Sequence, residues 1–300
     1  MSRIFDPTQV RRAFSRASAT YAATAALQRE IGEQLMESLE YLDDRVPGVV
    51  LDVGSGPAHA ALAMRQRWPK SRIVAVDLAL PMLQQAKVRS GWRDRLGLQK
   101  PIERVCADLR ALPFADNSVD VLFSNLCLQW VEDLPAAFAG FRRVLKPDGL
   151  LLVSTFGPQT LIELRESFGV ADAQPHVSPF ASIAEFGDAL MRAGFRNPVV
   201  DRDDAVHWHP DMASLMREQR AIGATNALSA RRRALTGRAR FEAAAGHYEQ
   251  FRTERGLPAS WEWITAMAWS PKHGAPIREG DEELARFDAS AIPVRRRSTD

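Results

Sequence analysis

Cysteine is nearly absent. Cys106 and Cys127 are the only two in 300 residues, which excludes a disulfide framework and points to a reducing compartment. Long apolar runs are missing too. No stretch approaches the length of a membrane span, and Met1 to Phe14 lacks the apolar heart of a secretion signal. These absences predict a soluble, cytoplasmic protein with no membrane partner. An excess of either charge is also lacking: 39 Lys and Arg face 37 Asp and Glu, a net charge of +2. Bulk charge therefore does not mark a nucleic-acid binder. No metal-ligand cluster and no convincing His–Asp pair is legible, so no metal is expected. What remains is 46% hydrophobic residues, enough for one α/β core with a sizeable insertion or extension.

The apolar residues fall into an order. Leu27, Ile31, Leu35 and Leu39 recur every four residues and give the first segment one apolar helical face. After Pro47-Gly48 short apolar strands alternate with helices. Strands are expected at 49–53, 72–77, 102–108, 119–125 and 150–155, with helices at 58–68, from about 81, and after Asp133. Such alternation predicts a parallel sheet covered on both faces, with ligand beyond the carboxyl ends of the strands. Beyond Thr155 the reading gives helices at 157–168 and 183–193. A long arginine-rich helical region at 211–251 breaks near Asn226, and a closing strand covers 260–269.

"VVLDVGSGPAHAAL", Val49 to Leu62, is a strand, a glycine turn and a helix start. A dinucleotide fingerprint needs a third glycine where His59 stands, and no Gly-Lys-Ser/Thr follows for a phosphate loop. Asp52, two residues before Gly54, sits awkwardly beside phosphate but suits a cationic ligand. Further carboxylates close the next strands: Asp77 before Leu78 and Asp108 before Leu109, with Asn125 ending the fourth. Two acceptor oxygens can take both hydroxyls of a cis-diol. Singly, these residues read as turns and caps. The ordered set at successive strand ends is the signal. Cys106 and Cys127, in apolar runs, read as core residues, and His59 as a helix-face residue.

This set resembles the first motifs of the class I S-adenosylmethionine (SAM) dependent methyltransferases. Ala58 stands at their third glycine and Asp148 at another frequent glycine. The resemblance implies SAM as cofactor, held by Asp52, Gly54, Gly56, Asp77, Leu78, Asp108, Leu109 and Asn125. It also implies a Rossmann-like α/β fold with a mostly parallel seven-stranded sheet, an N-terminal helical lid and a helical insertion after the fifth strand. The regions would be the lid at 1–46, a SAM-binding core at 47–156, a helical acceptor region with closing strands at 157–270, and a loose tail at 271–300. Ala58 fits its loop if its φ is negative, since positive φ favours glycine.

"SNLCLQWVEDL", "FGPQTL", "HVSPF", "GATNALSARRRALTGRARF" and "SWEWITAMAW" are similar to the BioC-type malonyl-[acyl-carrier-protein] O-methyltransferases of biotin synthesis, from about Phe5 to Trp269. The implied reaction moves a methyl group from SAM to the free carboxylate of a malonyl thioester. A carboxylate is ionised near neutral pH and needs no general base, so positioning and water exclusion suffice. Tyr21, closing a Phe-x2-Ala-x3-Tyr pattern from Phe14, is the candidate to hold a carboxylate, or else packs a helix. His176 and Phe180 line the acyl pocket on this reading, or simply form a turn. Arg231, Arg232 and Arg233 lie among seven arginines between 217 and 240. They read as a docking patch for an acidic acyl carrier protein, or as a solvated helix face. Their lack of interleaved aromatics disfavours nucleic acid. A monomer is expected. Two rival readings stay open: another small-molecule methyltransferase, and a non-methylating assembly factor that keeps the fold.

Overall fold

The structure is a computed structural model that describes residues 4–86, 99–232, 237–272, 274, 277–279 and 282–284. Its centre is a seven-stranded sheet in the order β3-β2-β1-β4-β5-β7-β6. The strands are β1 (Val49–Val53), β2 (Arg72–Asp77), β3 (Glu103–Cys106), β4 (Val119–Ser124), β5 (Leu145–Phe156), β6 (Arg196–His209) and β7 (Leu257–Trp269). The first five run parallel, and β7 pairs antiparallel with both β5 and β6.

Period-two alternation assigns each strand residue to a face. Leu51, Val74, Leu122 and Leu151 join one core cluster, while Val50, Ile73, Val121 and Leu150 join another. The first face is covered by α5 (Leu134–Val144) and α7 (Ile183–Arg192). Phe138 lies at its centre, with ring centroids 5.3 Å from Phe186 and 6.1 Å from Phe141. The opposite face is covered by α3 (His59–Arg67), α4 (Leu80–Gln85) and residues at and beyond the end of α2 (Ala26–Glu37), including Leu35, Leu39, Met64 and Leu83. Both faces are sealed, as the near-continuous apolar strands require.

A third cluster forms beyond the fifth strand. It joins α6 (Ile162–Ala171), α8 (Met212–Ala221), α9 (Arg238–Tyr248) and the far half of β7, through Phe168, Leu215, Tyr248 and Trp261. The helical region expected at 211–251 with a break near Asn226 is two helices, α8 and α9, which lie on either side of that break. Strand β6 is the one of the seven expected strands that the sequence does not locate. It is an edge strand with exposed Asp201, Asp203 and Asp204, so little apolar alternation announces it. Residues 277–279 and 282–284, within the stretch read as a tail, pair as two short antiparallel strands.

Helix α1 (Pro7–Thr24) crosses the carboxyl ends of the parallel strands. Asp6 caps it by accepting from the Thr8 and Gln9 amides, each at 3.1 Å, and Pro7 sits in its first turn. Phe5 forms a β-bridge with Leu228, so the start of α1 is strapped to the loop after α8.

Candidate functional site

Two cavities meet beneath α1. The smaller, about 90 Å³, lies at the ends of β1, β2 and β4, where the strand order reverses. The larger, about 800 Å³, lies between α1, α6 and α8. Phe14, Tyr21, Leu126 and Trp130 line both. A group transferred from one cavity to the other must pass among these four side chains.

The floor of the smaller cavity is the β1–α3 loop. Gly54 and Gly56 have φ of +73° and +52°. At Gly54 a Cβ would stand 2.4 Å from Cys127 Sγ, so both the conformation and the close approach demand glycine. Ala58 departs from expectation: its φ is +64°, in the left-handed region. The family's third glycine thus has a conformational cause, and alanine carries a strain of about 1–2 kcal/mol here. Asp148 likewise has φ +61°, a conformation that aspartate tolerates better than most residues.

Asp77 closes β2 inside the cavity. Its two oxygens accept from the Gly56 and Ala79 amides, each at 2.8 Å, which leaves lone pairs for a diol. Burial raises its pKa, so a cation beside it would be welcome. Leu78 and Leu109 supply apolar walls, and Asp108 is forked by the Arg110 guanidinium. A cradle only glycine fits, a buried carboxylate at a strand end and apolar walls suit a cationic nucleoside such as SAM.

Asp52 plays another part than facing the ligand. It does not line the cavity. Its Oδ2 accepts from the Ala61 amide at 3.0 Å, capping α3 from the neighbouring strand in place of Ala58, whose side chain cannot. Burial pushes its pKa up to about 7, although that hydrogen bond opposes the rise. Asn125 also lies outside the lining. Its amide is used within the protein, donating to Gln28 O and accepting from Ser154 Oγ, both at 2.7 Å. Cys127 lines the cavity with its thiol pushed up by burial, hence protonated and un-nucleophilic. Cys106 corrects the expectation of a core residue: it is exposed on the edge strand β3.

The larger cavity is walled by aromatic side chains, among them Phe156, Phe168, Phe180 and Trp261. His176 stacks on Phe168 at 4.1 Å and contacts Asp172 at 3.2 Å. Phe180 meets Phe156 edge-on at 6.0 Å. Arg231 and Arg232 line this cavity as well, so they do not form an outward patch. Arg231 donates to Asp6 at 2.9 Å, and Arg232 forks onto buried Asp172 at 3.0 and 3.3 Å. Arg232 holds the Asp172 carboxyl well below the usual range. Arg233 lies outside the described residues.

Tyr21 stands at the junction of the cavities. Burial raises its pKa, with Asp77 adding to the rise, so the hydroxyl stays a donor. Sequence reasoning missed Leu126, Trp130, Gln219 and Arg220, which also line the larger cavity. Leu126 has φ +46°, a strained conformation of the kind that gathers at functional sites. Its only signal was its place in the "NLCLQW" stretch. Among the described residues no cluster of three metal-ligating side chains occurs, and no helix is long and apolar enough to cross a membrane.

Comparison with known proteins adds four findings. Residues 51–153 match the model of a methyltransferase domain. A malonyl-[acyl-carrier protein] O-methyltransferase of Xylella fastidiosa is 53% identical over 300 residues, all of both chains. The biotin biosynthesis bifunctional protein BioHC of Saccharophagus degradans is 37% identical over 85% of this chain and 45% of its own length. Among solved structures, the YcgJ protein of Bacillus subtilis shares the fold, with a TM-score of 0.55 at 17% identity, covering 80% of this chain and 99% of that one.

Proposed function

The chain belongs to the malonyl-[acyl-carrier protein] O-methyltransferases, and from that premise we propose how its residues share the work. It is a SAM-dependent enzyme that methylates the free carboxylate of a malonyl thioester on acyl carrier protein, giving the methyl ester that enters biotin synthesis. SAM supplies an electrophilic methyl on a sulfonium. The carboxylate is its own nucleophile, and the reaction cancels one charge of each sign. A dry, positioning site is what such chemistry asks for.

In our reading Asp77 takes the ribose hydroxyls, Leu78 and Leu109 flank the base, and the Gly54–Gly56 loop holds the methionine end. Asp108 orders this wall through Arg110. Asp52 and Asn125 act behind the site, fixing α3 and joining α2 to the sheet. Phe14, Leu126 and Trp130 exclude water at the junction, and the Tyr21 hydroxyl orients the malonyl carboxylate. His176 and Phe180 bound the acyl channel. Residues 1–46 serve as lid, 47–156 as cofactor core, and 157–270 as acceptor region. We place the reaction in the cytoplasm, in keeping with two free thiols.

One observation carries this reading: the four side chains shared by both cavities include Tyr21, a protonated donor. The test is mass spectrometry of malonyl-carrier protein incubated with SAM and the enzyme. We expect one added methyl, removable by an esterase. Carrier of unchanged mass, or a methyl that resists the esterase, would sink the reading.

A further inference from the structure

Three arginines line the acceptor cavity, and two are engaged by carboxylates. Arg231 pairs with Asp6 and Arg232 with Asp172. Arg220, in the last turn of α8, has no ion pair among the described residues and is exposed. A guanidinium that lines a cavity and also meets solvent sits at its rim. Its backbone is held there by α1. Thr20 Oγ1 donates to Ala221 O at 2.6 Å, and Gly223, at φ +79°, packs so closely that a Cβ would lie 3.0 Å from Phe14 Cδ1. Inside the rim the unmet polar groups are neutral. Gln219 Nε2 and Trp261 Nε1 are buried without a partner, each on a residue that lines the cavity. Such groups cost free energy until something meets them.

We propose that Arg220 forms a second anion subsite, which takes the phosphate ester of the phosphopantetheine arm carrying the malonyl group. The proposal rests on the acceptor reading above. That acceptor has two anions with different fates. The carboxylate loses its charge as the methyl arrives, so an arginine on it would favour the ground state over the transition state and slow the reaction. The phosphate keeps its charge throughout, so an arginine there adds binding without raising the barrier. Neutral donors within and a cation at the rim match this division. Between the two anions the arm carries amide carbonyls, for which Gln219 Nε2 and Trp261 Nε1 are suitable donors.

The test compares malonyl-phosphopantetheine with malonyl-pantetheine, which differ only in the phosphate, in the full-length enzyme and in Arg220→Gln. The wild type should favour the phosphorylated substrate by about tenfold in kcat/KM, mostly through KM. In Arg220→Gln the ratio should fall to near one with SAM affinity unchanged, and Arg220→Lys should retain part of it. A ratio that survives the substitution overturns the proposal. Equal losses on both substrates overturn it too, because Arg220 would then read the carboxylate or support the fold. The KM effect must also appear with malonyl-carrier protein; an effect confined to malonyl-phosphopantetheine would refute the assignment to the carrier's arm. If the wild type leaves malonyl-carrier protein unmethylated, the acceptor reading itself fails, which is a separate outcome.

Discussion

Replacing Asp52 with asparagine should stabilise the protein at neutral pH while weakening its grip on SAM. Asp52 is 2% exposed, so solvent does little to screen its charge. Its folded pKa is about 7, against an ordinary 3.8, and that gap corresponds to about 4 kcal/mol. The sign follows from proton counting. The folded state holds the proton more tightly than the unfolded state, so native stability falls as pH rises from about 4 to about 7 and then levels off. An asparagine can still accept from the Ala61 amide but never charges. The variant's advantage should therefore grow from about 1.5 kcal/mol at pH 5 to about 4 kcal/mol at pH 8. A new, unpartnered amide N–H would take back about 1–2 kcal/mol at every pH. It shifts the curve without changing its slope. Urea denaturation of both proteins across that range measures the slope. A bound cation nearby reverses the balance, since it favours the ionised carboxylate. SAM affinity should therefore climb more steeply through the same window in the wild type than in the variant, where Asp77 alone is left for the cation to relieve. Parallel stability curves from pH 5 to pH 8 would refute the argument, because they would mean that Asp52 ionises in the fold as freely as in the unfolded chain.

Three further outcomes are expected. Gly54→Ala should cost about 3 kcal/mol or more and abolish SAM binding, since its Cβ would lie 2.4 Å from Cys127 Sγ. Adding Cys127→Gly should recover about 2 kcal/mol of that loss in a double-mutant cycle, and simple additivity by urea melts would deny the contact. Tyr21→Phe should lower kcat/KM about 10- to 100-fold with the Kd for SAM within about twofold, the loss of one hydrogen bond to a charged group. Asp6→Asn removes the negative charge opposite Arg231 and weakens the strap on α1. S-adenosylhomocysteine should then dissociate several-fold faster in stopped-flow measurements, because Val10, Phe14 and Tyr21 of α1 line the cofactor cavity. An unchanged rate would leave α1 a fixed wall.

The sheet and the cofactor corner were legible in the sequence because their signals are local. Val49 to Val53 is an apolar run, Gly54 and Gly56 follow at once, Asp77 closes a strand and Asp108 stands two residues beyond one. Local signals fail where geometry or distant partners decide. Nothing in "GPAHAA" reveals that Ala58 has positive φ. "IERVCAD" looks like a buried strand, yet β3 is an edge, which exposes Cys106. The arginine run looks like a solvated or docking face. Its direction is set by Asp6 and Asp172, which meet Arg231 and Arg232 across 225 and 60 residues of chain.

Those arginine pairs bear on how the two cavities differ. The cofactor side accumulates negative charge at a cost: burial raises the pKa of Asp52 and Asp77 alike, and a cation relieves both. The acceptor side does the reverse, answering Arg231 and Arg232 with Asp6 and Asp172. The carboxylate thus arrives among neutral donors, with the Arg231 and Arg232 guanidiniums already answered and Arg220 out at the rim. Methyl transfer then removes the charge from each reactant. S-adenosylhomocysteine no longer relieves the buried acids through a sulfonium, and the ester no longer draws strongly on donors suited to a carboxylate. On this reading the interactions that assemble the reactants weaken at the moment of reaction, so the arrangement that admits a cation and an anion also favours release of their neutralised products.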